Sequence, residues 1–566
     1  MKNKNLKYAV VMGLALLGTS CDKSFLEEDP YSSYRTGATD PQTIEAQVVG
    51  LHRIYAELWS WSGRQGFLSC WQVGTDIASP GAPEGVENPF YQYADLNPEN
   101  GGVSYLWQKS YDFINHANVI IASVGENNVN ANAEARFFRA YAYNMLATLW
   151  GEVPVITEPV ASPTFDYTRQ PVADVDKVIE ADLMYAITNL PAVGQAARES
   201  RINKDMARQL AAEAYLRMGL RDNAYYAKAE QVATDIINSG SYKLIETRYG
   251  KYLSEGGDYY RDMFRYGNQR RSQGNTEAIW TFEVSNNRDL VGGTIDNPQQ
   301  RRVWQPGYHG WDGMVNADSL GGRGIGRMRL SNYMKYNVWR GLSGDIRNSN
   351  YNIRRTTNYN RPGWSATAGI TADGFRVAAN DPTAVRTVTL KTGDKVIPYR
   401  ADSLSVWYPY PTKWGAYDPQ DDFGYAVVKD WPVMRLGETY LLRAEARFRQ
   451  NNANGAAADI NVLRDRAFKE ARQASGNNNL GSVAANDINL DFILDERARE
   501  LIAEENRRMT LVRTGKLKDR IALNGDKEPS NRIITGFQDF NALLPIPLSE
   551  IQLNSKAELK QNPGYN

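Results

Sequence analysis

Residues 207–219 read ARQLAAEAYLRMG, and residues 224–240 read AYYAKAEQVATDIINSG. In the first stretch, apolar side chains recur at i, i+3, i+4, i+7, i+8 and i+11, counted from Ala207. The second stretch has a similar apolar face that starts at Tyr225. This spacing is typical of amphipathic helices, and the glycine that closes each stretch is typical of a helix end. The two stretches therefore predict an αα-hairpin, two helices joined by a short turn.

Helical spacing is also present on both sides of this hairpin. Upstream, one apolar face includes Phe138 and Leu149, and another includes Val175 and Leu190. Downstream, helices are predicted at 436–450, 455–472 and 490–508. The pattern Ala-x-x-Tyr-Leu-x-x-Gly at 212–219 resembles the first helix of a tetratricopeptide unit. We therefore expect a mostly α-helical fold with a tetratricopeptide-like scaffold of helical hairpins.

The stretch from about 250 to 430 has a different composition. It is rich in Gly, Asn, Arg and Tyr, and it holds eight of the 13 tryptophans. Short strands are predicted at 278–284 and 387–390. Long irregular segments in a folded domain are usually functional or disordered, and abundant aromatics argue against disorder. We expect a loop-rich insertion that carries short strands and ligand-binding loops, held by the helical scaffold.

The N-terminus has the pattern of a bacterial lipoprotein signal. Three lysines among the first seven residues precede an apolar stretch at 8–18, and Gly-Thr-Ser-Cys follows at 18–21. The apolar stretch is much shorter than the roughly 20 residues that span a bilayer. We predict that residues 1–20 are a signal peptide, that Cys21 is lipid-modified, and that 21–40 is a tether. Gly18 departs from the lipoprotein pattern, in which Leu is more usual three residues before the cysteine. The alternative to a lipoprotein is an ordinary secreted protein in which Cys21 occurs by chance.

Composition narrows the range of functions. Lys+Arg and Asp+Glu both total 65, so nothing steers the chain toward nucleic acid. With only Cys21 and Cys70, a disulfide framework is excluded, and we expect Cys70 to be a small buried side chain. The 33 Tyr and 13 Trp combine flat apolar faces with hydrogen-bonding edges, which sugar rings require. Composition alone nevertheless favours ordinary packing in a large core.

Motifs for catalysis are scarce in this sequence. Its three histidines are far apart, and neither H-E-x-x-H nor G-x-S-x-G occurs, so we expect no metal site, no cofactor and no serine hydrolase. The glycine-rich stretch 321–326 lacks the lysine of a phosphate-binding loop, which favours a flexible binding loop. Asp312 and Asp318, near Trp311, are the candidates for a glycosidase pair, although surface charge is the better explanation.

Six short segments together carry a family resemblance. They are DWPVMRLGETYLLRAE at 430–445, INVLRDRA at 460–467, LDERARELIAE at 494–504 with LVRTGK at 511–516, LPIPLSEI at 544–551, QNPGY at 561–565 and LWGEVPV at 149–155. In these segments the chain resembles the SusD/RagB family, the surface nutrient-binding lipoproteins of Bacteroidetes. Two positions depart from the family pattern, with Glu505 where Gly is common and Thr510 where Asp is common.

The resemblance has implications for fold, location and partners. It implies a mostly α-helical fold with four tetratricopeptide-like hairpins and a lipid anchor on the outer face of the outer membrane. It also implies a partner, a SusC-like TonB-dependent β-barrel transporter on which the protein sits as a hinged lid. The ligands of the family are usually glycans, and a minority of members handle peptides. We divide the chain into an N-terminal SusD-like helical region at 41–245, the insertion at 246–435 and a C-terminal RagB/SusD-like helical region at 436–566, in one integrated fold.

We therefore expect a non-catalytic glycan-binding lipoprotein that delivers oligosaccharides to its transporter. A peptide-binding protein on the same scaffold and a lipid-anchored glycoside hydrolase are the alternatives. The resemblance implies ligand loops in the stretches 71–93 and 304–339. From local composition we select as ligand contacts Trp71, Asp76, Tyr91 and Tyr93 in the first stretch, and Trp304, Tyr308, Trp311 and Arg323 in the second. Trp304, Tyr308 and Trp311 sit among Gly, Pro and Asn, so we expect them to be exposed, whereas Asp76 has a helix cap or turn as its alternative role.

Overall fold

The computed structural model describes residues 40–59, 66–196, 198–284, 300–399, 408–417, 429–527 and 532–565. The predicted signal peptide, Cys21 and nearly all of the tether lie outside these residues. The described chain is mostly helical with a few short strands, which confirms the predicted fold class. None of the described helices is long and apolar enough to cross a membrane.

The helices divide into a longer N-terminal set, a short central set and a C-terminal set. The N-terminal helices are α1 (Pro41–Trp59), α2 (Gly66–Ser69), α3 (Gly101–Val124), α4 (Val129–Leu149), α5 (Val172–Asn189), α6 (Lys204–Met218) and α7 (Ala224–Asn238). The central helices are α8 (Tyr259–Asp262), α9 (Gln300–Trp304) and α10 (Asn332–Lys335). The C-terminal helices are α11 (Leu436–Arg449), α12 (Ala453–Ala467), α13 (Lys469–Ser475), α14 (Leu490–Leu501), α15 (Arg507–Arg513), α16 (Leu517–Ile521) and α17 (Leu548–Leu553).

The long helices pack as successive pairs. Helix α1 lies against α3, α4 against α5, α6 against α7, and α11 against α12. Helix α11 also packs on α7, so the C-terminal helices extend the N-terminal stack although the insertion separates them in the sequence. Two of these pairs, α6 with α7 and α11 with α12, are hairpins joined by a short turn, whereas longer segments separate the helices of the other two pairs.

The hairpin of α6 and α7 has the structure that its sequence predicts. The Asn203 side chain caps α6 by accepting from the backbone N–H groups of Asp205 and Met206. Gly219 follows the last residue of α6, and a Cβ atom there would lie 2.2 Å from the Tyr226 ring. Glycine is therefore needed at this turn for the close approach of α7, not for an unusual backbone conformation.

The strands are short and form small antiparallel sheets. They are β1 (Ala78–Pro80), β2 (Ala278–Phe282), β3 (Met328–Leu330), β4 (Ile353–Arg354), β5 (Ser365–Thr371), β6 (Arg376–Val377), β7 (Ala384–Lys391), β8 (Tyr410–Pro411) and β9 (Trp431–Arg435). The pairs are β1 with β3, β2 with β9 and β4 with β8, and β5 lies between β6 and β7. Strands β2 and β7 confirm the two predicted strands. The β2–β9 pair joins the early part of the insertion to its last residues, just before α11.

Two of the predicted C-terminal helices end earlier than expected. The predicted helix 455–472 ends at Ala467 and is followed by the short α13. The predicted helix 490–508 ends at Leu501, because Ala503 adopts a left-handed backbone conformation with φ 65°. Asn506 then caps α15 by accepting from the N–H of Met509. The periodic pattern continues through this break, so the spacing alone did not indicate it.

One large core joins the three regions of the chain. Its buried members include Leu51 of α1, Trp280 of β2, Trp304 of α9 and Leu442 of α11. A smaller cluster lies within the insertion, and we call it the insertion cluster: Tyr308, Trp311, Met314, Leu320, Tyr359, Ala368, Leu390 and Val396. Cys70 is buried with its thiol unpaired by any disulfide, as predicted.

Candidate functional site

The structure brings together the two stretches that were predicted to hold the ligand. Strand β1 of the first stretch pairs with β3 of the second, with Ala78 opposite Leu330. The pairing continues beyond the strands, because Gly81 donates its N–H to the Arg327 carbonyl at 2.9 Å. The two stretches are therefore neighbours in space, although more than 200 residues separate them in the sequence.

Asp76 is buried in a cluster of arginines. Its carboxylate accepts from Arg507 through both oxygens, at 2.9 and 2.6 Å, and from Arg520 Nε at 2.8 Å. Burial would raise the pKa of Asp76, but Arg507 and Arg520 outweigh it and hold the pKa below its usual value. Asp76 as a ligand contact stays a prediction, whereas in this structure its carboxylate is buried and paired with two arginines. Its carboxylate joins the first stretch to α15 and α16.

The aromatic residues of the first stretch are also buried. Trp71 stacks on Trp59 with ring centroids 5.3 Å apart, and only 1% of it is exposed. The Tyr93 hydroxyl donates to the Gly74 carbonyl at 3.0 Å and accepts from Arg508 at 2.9 Å. Tyr91 is buried with its hydroxyl on the Asn88 side chain, and burial raises the pKa of Tyr91 to about 12. As placed, these rings support the loop from within.

The aromatics of the second stretch were expected to be exposed, and this expectation is wrong. The exposed fractions are 1% for Trp304, 0% for Tyr308 and 5% for Trp311. Trp304 belongs to the large core, whereas Tyr308 and Trp311 belong to the insertion cluster. Trp304 is the last residue of α9, and the Gly and Pro residues that follow it allow a close-packed chain to bury Tyr308 and Trp311 as well. Local composition therefore did not report exposure.

Arg323 is half-buried, whereas the other seven predicted ligand contacts are buried. It lies near His309, whose pKa is lowered by burial first and by the Arg323 charge second. The glycine-rich stretch that contains Arg323 was expected to be a flexible binding loop, but its glycines are buried. A Cβ atom would lie 2.1 Å from the Ala416 carbonyl oxygen at Gly322 and 2.3 Å from the Gln305 carbonyl oxygen at Gly324. Close backbone packing explains these glycines.

A half-buried tryptophan lies at the solvent edge of the insertion cluster. The Trp364 indole packs on Tyr359 with ring centroids 4.3 Å apart and donates its N–H to Asp312 at 2.7 Å. Asp312 also pairs with Arg376 at 3.1 Å, and this guanidinium lies 5.4 Å from the Trp364 ring. The Trp364 ring and the Asp312 carboxylate are the partly exposed groups of this site, and they can contact the apolar face and the hydroxyl groups of a sugar. Arg376 is buried beneath them and holds the carboxylate in place.

Sequence reasoning did not select Trp364. Its context, Arg361-Pro-Gly-Trp364, places it in a turn just before β5, and this signal is the same one that favoured Trp304 and Trp311. The difference lies in the neighbours that fold over each ring, which the local sequence does not contain. Trp311 supports the site from within the insertion cluster, and Trp364 lies at its edge.

The two carboxylates considered for hydrolysis are engaged separately. Asp312 pairs with Arg376, whereas Asp318 pairs with Arg265 at 3.4 Å. In the described ranges, no group of three or more His, Cys, Asp or Glu side chains could hold a metal ion.

The charged residues of the C-terminal motifs meet in one buried network. Glu500 of α14 accepts from Arg347 at 3.0 Å and from Arg435 at 2.5 Å, and it also pairs with Arg466. Arg435 and Arg466 both contact Glu277, just before β2, at 2.8 and 3.0 Å. Burial would raise the pKa of Glu500, but the three arginines hold the pKa well below its usual value. These motif residues position the scaffold beneath the insertion.

The two positions that depart from the family pattern contact each other. The Thr510 hydroxyl donates to the Glu505 carboxylate at 3.0 Å. Glu505 also accepts from Arg497 at 2.8 Å and from Arg507 at 2.9 Å. The carboxylate at 505 is thus placed beside residue 510, the position at which the family pattern described above has Asp. The departures are consistent with a local exchange of position that keeps one carboxylate in the cluster.

Comparison with known proteins matches both ends of the chain. Residues 399–565 match the SusD family, and residues 24–216 match a second model described as starch-binding associating with outer membrane. A SusD-like protein of Formosa agariphila is 25% identical, with 94% of each chain covered. The starch-binding protein SusD of Bacteroides thetaiotaomicron is 26% identical over 76% of this chain and 72% of that protein.

Solved structures share the fold over nearly the whole chain. A laminarin-binding SusD-like protein superposes with a TM-score of 0.61 at 20% identity, covering 93% of this chain and all of that one. Surface glycan-binding protein A from Bacteroides thetaiotaomicron, in complex with laminarihexaose, superposes with a TM-score of 0.64 at 18% identity and the same coverage. Because family models match residues 24–216 and 399–565, together more than half of the chain, the chain belongs to the SusD/RagB family.

Proposed function

We propose that this protein is a cell-surface glycan-binding lipoprotein that captures oligosaccharides and delivers them to a SusC-like TonB-dependent transporter. The observation that carries the proposal is the Trp364–Asp312–Arg376 site on a scaffold of the SusD/RagB family. Relatives with this fold are named for binding laminarin, laminarihexaose and starch. The proposed location is the outer face of the outer membrane, through a lipid on Cys21.

The proposed ligand surface lies at the solvent edge of the insertion, with Trp364 as the aromatic contact. The eight residues selected from the sequence remain a proposal as ligand contacts. Seven of them are buried in this structure, where their side chains support the ligand loops: Trp71, Asp76, Tyr91, Tyr93, Trp304, Tyr308 and Trp311. Arg323 is half-buried and keeps its proposed role as a donor.

Peptide binding on the same scaffold is the main alternative. The test is calorimetry of the purified protein against laminarin and starch oligosaccharides and, in parallel, against a panel of peptides of similar length. Saturable binding of an oligosaccharide with no peptide binding supports the proposal, and the reverse result contradicts it.

We propose that binding occurs without turnover. The partners of Asp312 and Asp318 support this, because each carboxylate is held by a different arginine. The purified protein is incubated with its best oligosaccharide ligand, and reducing ends are followed by chromatography. New ends that form in proportion to protein concentration would show a glycoside hydrolase instead.

The transporter partner is tested separately. An affinity tag at the C-terminus allows recovery of the protein from solubilised outer membranes of the native host. Recovery of a TonB-dependent β-barrel in stoichiometric amount is the expected result. If the recovered protein still binds its oligosaccharide but no β-barrel is recovered with it, the proposed transporter partner is wrong.

A further inference from the structure

An open pocket lies outside the insertion, between α3 and the C-terminal tail. It encloses about 190 Å³. Its walls are mostly apolar or aromatic, and they come from α3, from the segment 154–167 and from residues 550–559. The aromatic members are Trp107, Tyr111 and Tyr167. A concave apolar pocket with few polar groups is the usual form of a small-molecule site.

The pocket holds one carboxylate, that of Glu550 on α17. Burial raises the pKa of Glu550, and a hydrogen bond from the Trp107 side chain partly offsets that effect. Within the described part of the chain, no lysine or arginine forms an ion pair with Glu550, although most other buried carboxylates of this protein have one. A partly buried carboxylate without a cation is costly, which favours a positively charged ligand.

Three other polar side chains around the pocket form hydrogen bonds within the protein. The Asn554 side chain accepts from the Tyr167 N–H and donates to the Tyr167 carbonyl, both at 2.8 Å. The Tyr111 hydroxyl donates to the Pro154 carbonyl at 2.9 Å. The Asn115 side chain accepts from the Val160 N–H at 3.2 Å. These bonds join the three walls and leave the Glu550 carboxylate as the principal group for a ligand.

An exposed apolar residue lies at the mouth of this pocket. Val160 lines the pocket and is 40% exposed. Apolar walls such as Ile156 and Leu559 offer no hydrogen bonds to a ligand with many hydroxyl groups.

We propose that this pocket binds an organic ammonium ion, a protonated amine carried on an aromatic or aliphatic body. Its ammonium group bonds to Glu550, and its apolar body contacts the aromatic walls. Aromatic rings attract cations through their faces, and a carboxylate strengthens hydrogen bonds from an ammonium group. This site is independent of the proposed glycan site, so either proposal can fail alone.

The test compares two probes of the same shape, tyramine and 4-ethylphenol, by calorimetry at pH 7 with the full mature chain. Tyramine is expected to bind at least about tenfold more tightly, because only it carries the ammonium group. Glu550→Gln is expected to weaken tyramine binding about tenfold or more and to leave 4-ethylphenol unchanged. Glu558→Gln is the matched control on the exposed side of the same tail and is expected to bind tyramine normally.

Val160→Trp gives a second test that leaves Glu550 in place. The larger side chain at the exposed mouth is expected to block both probes without loss of thermal stability. Equal binding of the two probes to the wild type, or tyramine binding unaffected by both Glu550→Gln and Val160→Trp, overturns the proposal.

Discussion

Asp76 and Arg507 form a fully buried ion pair between residues 431 positions apart in the sequence, with oxygen–nitrogen distances of 2.9 and 2.6 Å. This pair fixes the loop before β1 to the start of α15. Helix α14 ends at Leu501 and α15 begins at Arg507, so Arg507 lies directly after the break between the two helices. The relation between these two residues links the predicted ligand stretch to the C-terminal family motifs.

Asp76→Asn is expected to lower the free energy of unfolding by about 3–5 kcal/mol, because it leaves the buried Arg507 and Arg520 short of a charge. Guanidinium denaturation measures the change. Asp166→Asn, at an exposed carboxylate, is the control and is expected to have no effect. If Asp76→Asn keeps its stability but loses oligosaccharide binding, Asp76 is a ligand contact after all.

The Asp76 cluster also predicts an acid-dependent loss of stability. The folded pKa of Asp76 lies below the usual 3.8, so the folded state holds its proton more weakly than the unfolded state. Its contribution is therefore fully present above pH 3.8 and is lost as the pH falls through the folded pKa. The difference in unfolding free energy between wild type and Asp76→Asn should be constant from pH 7 to 5 and shrink below pH 3.8. A difference that grows on acidification would contradict this.

Trp364→Ala is expected to weaken oligosaccharide binding about 5- to 150-fold, if stacking on a sugar contributes roughly 1–3 kcal/mol as it does on nucleobases. Its thermal stability should change little, because the ring is half-buried at the edge of the insertion cluster. Trp304→Ala is the contrasting variant, since it empties a core position and should destabilise the fold by about 3–5 kcal/mol. Normal binding by Trp364→Ala in calorimetry would place the ligand elsewhere.

A double-mutant cycle tests the exchange between positions 505 and 510. Glu505→Gly, which introduces the more common residue, should cost about 3 kcal/mol because Arg497 and Arg507 lose a shared carboxylate. Thr510→Asp alone should also destabilise, since it places a second carboxylate beside Glu505. The double variant should lose at least about 1 kcal/mol less unfolding free energy than the sum of the losses in the two single variants. Strictly additive effects would show that the two departures are unrelated.

Cys21→Ala is expected to remove the protein from the outer-membrane fraction when it is expressed without its transporter, because the lipid is the proposed anchor. Cys70→Ala is the matched control, since Cys70 is buried in the fold and should not affect fractionation. Membrane retention of Cys21→Ala in this background would refute the lipid anchor.

The helical scaffold could be predicted from the sequence because its signal is local. Apolar residues at helical spacing, such as those from Ala207 onward, report which face of a helix is buried whatever that face contacts. The pairing of α6 with α7 follows from a short turn. The ends of α14 and α15 could not be predicted in the same way, because residues next to the break at Ala503 have partners far away in the sequence. Arg507 pairs with Asp76, and Glu504 pairs with Lys413.

Less of the candidate site than of the helical scaffold could be predicted from the sequence. By itself the sequence determined the family, the mostly helical class and the two stretches that β1 and β3 join. Only the tertiary structure decided which aromatic rings meet solvent. Trp304, Trp311 and Trp364 have similar Gly- and Pro-rich surroundings, yet only Trp364 is left partly open. The exposure of a ring depends on which other parts of the chain pack over it. Irregular segments have no apolar periodicity from which the buried side chains could be predicted.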